Sequence, residues 1–182
     1  MKKQPWREVL EFWFSEENKP KQFIKNDEFD KEIHDRFYEV WQKGCEGLLF
    51  DWRTTLQGRL AEIIVLDQFS RNLCRGKACA FSKDDVALIL SQEAIKKDGF
   101  KALTQEERQF MIMPFMHSES AEIHKLSISL FEELGHEVST DFAYKHKEII
   151  DRFGRYPHRN DALGRESTKK EIEFLKQPGS SF

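Results

Sequence analysis

Apolar residues return every third or fourth position along this chain, the interval at which a helix brings side chains onto one face. Trp6, Val9, Leu10 and Trp13 do so behind Pro5, a residue suited to a first helical position, and predict a helix over 5–14. The charged stretch 15–21 contains Pro20 and reads as a loop. Asn26 then offers a helix cap, with Asp27 and Glu28 favoured in the first turn, ahead of a stripe of Phe29, Ile33, Phe37, Val40 and Trp41 that closes at Lys43 and Gly44. Residues 47–52 fit either a short helix or a turn. Residues 56–70 are the most apolar stretch: Leu56, Leu60, Ile63, Ile64 and Phe69, joined by Ala61, Val65 and Leu66, cover most of the circumference and predict a central, buried helix.

The second half repeats the pattern. Ser82 with Asp85 resembles a capping box before Val86, Ile89, Leu90, Ala94 and Ile95. Thr104 with Glu107 opens a short helix that Pro114 should disturb. Ser118 can cap the next, which stops at Gly135, and Ser139 or Thr140 can cap residues 141–153, which end at Gly154. A short helix fits 159–163. Thr168 and Glu171 box a last helix to about Lys176, leaving 177–182 as a tail. No segment alternates like a strand, and the connections are short. The expected fold is all-α, one domain over 1–182, with about eight helices packed as antiparallel hairpins around 56–70.

Composition narrows the function classes. The formal net charge of −3 leaves no basic footprint for nucleic acid. The longest apolar run, near Ile63 to Leu66, is too short for a bilayer, and charges at Arg7, Glu8 and Glu11 interrupt any secretory h-region. Cys45, Cys74 and Cys79 form no CxxC or zinc spacing, so reduced, buried thiols in the cytoplasm are expected.

Candidate chemistry is concentrated between His146 and Glu166, where two His, four Arg, two Asp, two Glu and an Asn alternate with Ile149, Ile150, Phe153, Tyr156 and Leu163. Burying such groups unpaired costs several kcal/mol, so they should pair with one another or with a ligand. Guanidinium forks grip carboxylates and phosphates, which makes Arg71, Arg155, Arg159 and Arg165 candidates to hold a small anionic ligand. His117 and His158 are the candidate acid or base, Asp67, Asp151 and Asn160 would orient them, and Asn72 and Glu119 complete the lining. The competing reading is structural: the arginines cap helix ends and pair with Asp67, Asp151, Asp161 or Glu166. His117, Glu119, His146 and His158 lack any metal-binding spacing, so no metal or cofactor is expected. His34 and His136 read as exposed surface residues, and His124 lies on the Glu122–Lys125 polar side of its helix; none of the three is given a role. Asp67-x-Phe69-x-Arg71 is echoed by Asp151-x-Phe153-x-Arg155, each behind a Glu-Ile-Ile helix.

Leu66-Asp-Gln-Phe-Ser-Arg-Asn72, Pro114-Phe-Met-His-Ser-Glu119, His146 to Asn160 and Leu163-Gly-Arg-Glu-Ser-Thr168 together resemble the bacterial domain of unknown function 924 family. They fall in the family's order, from Glu11-Phe-Trp-Phe14 to Gly179-Ser-Ser-Phe182, and depart from its usual Pro at Ser70 and aromatic at Cys74. The resemblance implies an all-helical, tetratricopeptide-repeat-like superhelix and no assigned catalytic residues. Two functions follow as expectations: a polar pocket for a small anionic ligand, or a helical module that binds a protein or peptide while the polar cluster is structural.

Overall fold

The computed structural model describes residues 4–181. Its helices are α1 (Pro5–Trp13), α2 (Asp27–Cys45), α3 (Leu56–Ile64), α4 (Ser70–Leu73), α5 (Asp84–Ala94), α6 (Gln105–His117), α7 (Ala121–Leu134), α8 (Glu137–Phe153) and α9 (Lys169–Leu175), with short 3-10 turns between several of them. A π turn, Val65–Phe69, joins α3 to α4, so the two form one rod. Eight rods therefore make up the described residues, which contain no strand. None of the helices is long and apolar enough to cross a membrane.

Caps set most helix starts. Asn26 accepts from the Phe29 amide at 2.9 Å, Thr55 accepts from Gly58 at 3.0 Å, and both Thr104–Glu107 and Thr168–Glu171 form reciprocal capping boxes. Three expected starts move. His136, not Ser139, caps α8, through Nδ1 to the Ser139 amide, and so adds a turn to the helix. Ser120 caps α7, while Ser118 Oγ accepts from the Ser120 amide one step earlier. Ser82 makes no box; its hydroxyl turns back to the Cys79 carbonyl, and α5 begins at Asp84. Pro114 lies inside α6, which runs on for three residues beyond it.

The central rod packs against α1, α2, α5 and α6, and its apolar residues from Leu60 to Phe69 are almost wholly buried. Phe69 meets Phe12, Trp13 and Phe37 in one aromatic cluster. Trp6, Trp13 and Trp52 are core residues. Gly58 is required where α3 starts: a Cβ there would stand 2.0 Å from the Trp52 carbonyl oxygen. From α5 onward, consecutive helices pack on one another through α8, around a second cluster of Ile112, Phe115, Phe131 and Ala143.

Two further expectations change. Cys74 and Cys79 form a disulfide with their Cα atoms 5.6 Å apart, and only Cys45 is a free thiol. The turn between them reverses at Gly76, whose φ of 75° suits glycine, and this brings together residues that spacing alone did not pair. The tail is also partly fixed: Ser180 is buried and donates to the Leu175 carbonyl. Phe182 lies outside the described residues.

Candidate functional site

The π turn places the first site residue. Such a turn widens the helix, and here the side chains of Ser70 and Arg71 donate to the Leu66 and Asp67 carbonyls at 2.5 and 2.8 Å. Trp41 Nε1 completes the seat by donating to Ser70 Oγ at 2.9 Å. Asp67 itself points inward and is 1% exposed.

His117, the last residue of α6, meets Asp67 through its Nδ1 at 2.6 Å from Oδ1. Gln68 Nε2 donates to the other carboxylate oxygen at 2.6 Å, and Arg71 Nη1 reaches Oδ1 at 3.1 Å. Burial alone would raise the Asp67 carboxyl. The nearby His117 and Arg71 outweigh it and hold the group below the ordinary carboxylate range. Burial, reinforced by the Arg71 charge, pushes His117 down despite the carboxylate, so its imidazole is neutral at pH 7. The ionised carboxylate can only accept, so Nδ1–H donates the hydrogen bond and Nε2 is left as the basic nitrogen.

A second carboxylate, Asp84 in the first turn of α5, ties two arginines together. Arg71 donates to both of its oxygens, at 2.9 and 3.0 Å, and Arg159 donates to Oδ2 at 3.0 Å and to the His117 carbonyl at 2.9 Å. The Arg159 guanidinium lies between the rings of Phe81 and Tyr156, 4.6 and 4.7 Å from their centroids. Glu119 forms a third pair: Arg165 grips both its oxygens at 2.7 and 2.9 Å, and the Tyr156 amide donates to it at 2.7 Å.

Histidines surround Tyr156. Its hydroxyl donates to the Met116 carbonyl at 2.5 Å and stands 3.1 Å from His124 Nε2. The rings of His146 and His158 lie 5.6 and 5.5 Å from its own, and His117 lies 6.5 Å from His146. Burial lowers His124, His146 and His158, the last to about 4, and raises the Tyr156 phenol. Four of the chain's six histidines therefore gather at one place as neutral rings.

Of the residues singled out from sequence, Asp67, Arg71, His117, Glu119, His146, His158, Arg159 and Arg165 fall in or beside this cluster. The others do not. Asn72 turns away and donates to Asp30 at 2.7 Å, beside Arg75 on the same carboxylate. Asp151 is exposed and paired with Lys147 one turn back along α8, so it orients neither histidine. Arg155 grips Glu171 through two bonds and fastens α9. Asn160 is buried and donates to Ser167 Oγ, bracing the 160–167 loop. The Asp67/Asp151 echo is thus no structural repeat, because one Asp is buried and its counterpart is exposed.

Sequence reasoning missed Asp84, Phe81, Tyr156 and His124. Asp84 stands beside Asp85 at the start of α5, and nothing in its spacing connects it to Arg71 or Arg159. His124 was placed on a polar face beside Glu122 and Lys125, yet it is fully buried and hydrogen-bonded to the Ser118 carbonyl at 2.8 Å. Among the described residues no set of three His, Cys, Asp or Glu is placed to hold a metal ion.

A family model described as "Bacterial protein of unknown function (DUF924)" matches residues 9–179. The chain belongs to the DUF924 family. A solved structure of a protein of unknown function from Agrobacterium tumefaciens superposes with a TM-score of 0.89 at 32% identity, covering 94% of this chain and 97% of that one. No curated protein sequence matches. The DUF924 match spans the Asp67, Asp84, His117 and Arg159 segments alike, so the polar cluster lies wholly within the family region.

Proposed function

We propose that the cluster is an acid–base site for a small polar molecule, with His117 as the base and Asp67 as its orienting partner. The observation that carries this is the 2.6 Å contact between a buried carboxylate and an imidazole that keeps 13% of its side chain exposed. One ring nitrogen is locked, and the edge that remains reachable carries the other. A neutral imidazole in contact with a carboxylate is the arrangement that general-base chemistry uses.

Charge balance narrows the substrate. Arg71, Arg159 and Arg165 face Asp67, Asp84 and Glu119, so the inner guanidiniums are matched by carboxylates one for one. A multiply charged anion would have to displace one of the protein's own carboxylates. The reading therefore favours a neutral or singly charged ligand entering at the partly exposed edge of His117 and Arg71, rather than a phosphorylated one held by four arginines.

The same pairing favours a second reading, in which the network is scaffolding and a tetratricopeptide-repeat-like helical surface binds a protein. Leu126, Val138 and Phe142 are exposed on α7 and α8 and give that reading its apolar surface.

A thermal-shift screen of small monocarboxylates, amides and alcohols on wild type and His117→Gln separates the two. The acid–base site is supported if a compound raises the wild-type Tm by a few degrees and leaves a folded His117→Gln unmoved. If no compound moves the wild type and His117→Gln only lowers Tm, the scaffold reading stands.

A further inference from the structure

We propose that Cys74 and Cys79 are a reversible thiol–disulfide modification site that latches the arm carrying Phe81 and Asp84 against the arginines. Nothing in this inference depends on whether the arginine network is catalytic.

The argument is positional. Cys74 ends α4, whose first turn contains Arg71. Cys79 sits in the 3-10 turn Ala78–Ala80, immediately before Phe81. Two residues after Cys79, the Phe81 ring meets the Arg71 and Arg159 guanidiniums at 5.6 and 4.6 Å; three further on, Asp84 bonds to both. The disulfide therefore ties the helix bearing Arg71 directly to the segment that answers its charge. The other ties across this segment are backbone hydrogen bonds, such as Lys77 N–H to the Cys74 carbonyl and Ala80 N–H to the Lys77 carbonyl, together with the ion pairs.

The two sulfurs differ in access, which sets the order of exchange. Cys74 is buried and Cys79 is half-buried. A low-molecular-weight disulfide such as oxidised glutathione is first attacked by the Cys79 thiolate, which forms a mixed disulfide and expels one small thiolate. The Cys74 thiolate then attacks the Cys79 sulfur and expels the second. The two protons lost by the protein end on the two small thiols: the protein dithiol is oxidised by two electrons and the small disulfide is reduced by two. The Cα separation of 5.6 Å is that of an ordinary disulfide, so closure needs no backbone rearrangement.

The test uses the full chain with Cys45→Ser, which removes the remaining thiol. The protein is equilibrated in glutathione buffers from fully reduced to fully oxidised, quenched by alkylation, weighed intact, and followed by hydrogen exchange. The expected result is one two-electron transition from a doubly alkylated chain to an unalkylated one two hydrogens lighter than the free dithiol, without lasting glutathione adducts. Amides of residues 78–85 should exchange about tenfold more slowly in that form. The proposal is overturned if the pair stays as dithiol in the most oxidising buffer, if it carries only glutathione adducts, or if it closes and leaves exchange over 78–85 unchanged. Because reduced and oxidised protein are compared directly, no cysteine variant at 74 or 79 has to fold.

Discussion

Asp84 holds Arg71 with both carboxylate oxygens, at 2.9 and 3.0 Å, from a different helix thirteen positions away. It also serves Arg159, so one acid is shared by two largely buried cations. Removing one partner of a buried pair leaves an uncompensated charge. Asp84→Ala should cost about 3–5 kcal/mol in urea unfolding. A cost below about 1 kcal/mol, the range of exposed pairs, would show that water already screens the arginines.

Histidine burial sets the acid limit of stability. His117, His124, His146 and His158 are all pushed below their ordinary value of 6.5, His158 to about 4. The unfolded chain then binds more protons than the native one across this interval. Stability is complete above pH 6.5 and falls as pH drops toward 4. Urea midpoints between pH 7.5 and 4.5 should decline steadily, and His158→Gln should flatten the slope. An unchanged midpoint across that range would place these rings in solvent.

The last helix has a lower acid limit. Glu171 accepts two bonds from Arg155, the largest influence on it, and is drawn down from 4.5 to about 2. A lowered carboxylate stabilises the fold above its unfolded value, and this contribution disappears as pH falls through the folded one. Amides of α9 should keep their protection at pH 5 and lose it between pH 4.5 and 2. In Arg155→Ala they should already exchange faster at pH 7, because the carboxylate has lost its partner.

Two glycines separate space from conformation. At Gly58 a methyl group would collide with the Trp52 carbonyl oxygen, so Gly58→Ala should cost about 3 kcal/mol or prevent folding. Gly76 has φ of 75° and open space around it, so Gly76→Ala should cost only the backbone term, about 1–2 kcal/mol. Equal losses on thermal melting would contradict the close approach of α3 to the preceding 3-10 turn.

The helices were legible because their signals are local. A stripe such as Phe29, Ile33 and Phe37 and a box such as Thr104 with Glu107 need only a few residues to be recognised, and both are present in the fold. The site was half legible. Arg159 and His117 stand out because charge beside apolar residues is unusual, but partners are chosen by packing. Asp84 belongs to the network because α5 lies beside the central rod, and no spacing encodes that. His124 was misplaced for a related reason: its sequence neighbours are polar, yet Tyr156 arrives from thirty-two residues away to cover it.

The π turn at Val65–Phe69 bears on how the chain can be edited. A π turn holds one residue more than the α-helical turn it replaces. Deleting a single residue there would restore a regular helix and leave everything beyond it in nearly the same phase, because four α residues turn through about 400°, close to the turn of the five π residues they replace. Ser70 would still meet Trp41, and Arg71 would still face Asp84. A deletion elsewhere in the rod has no such relief: it would rotate everything beyond it by about 100° and swing the arginine away. A relative that lacked one residue at this point could therefore keep both the helices and the polar cluster.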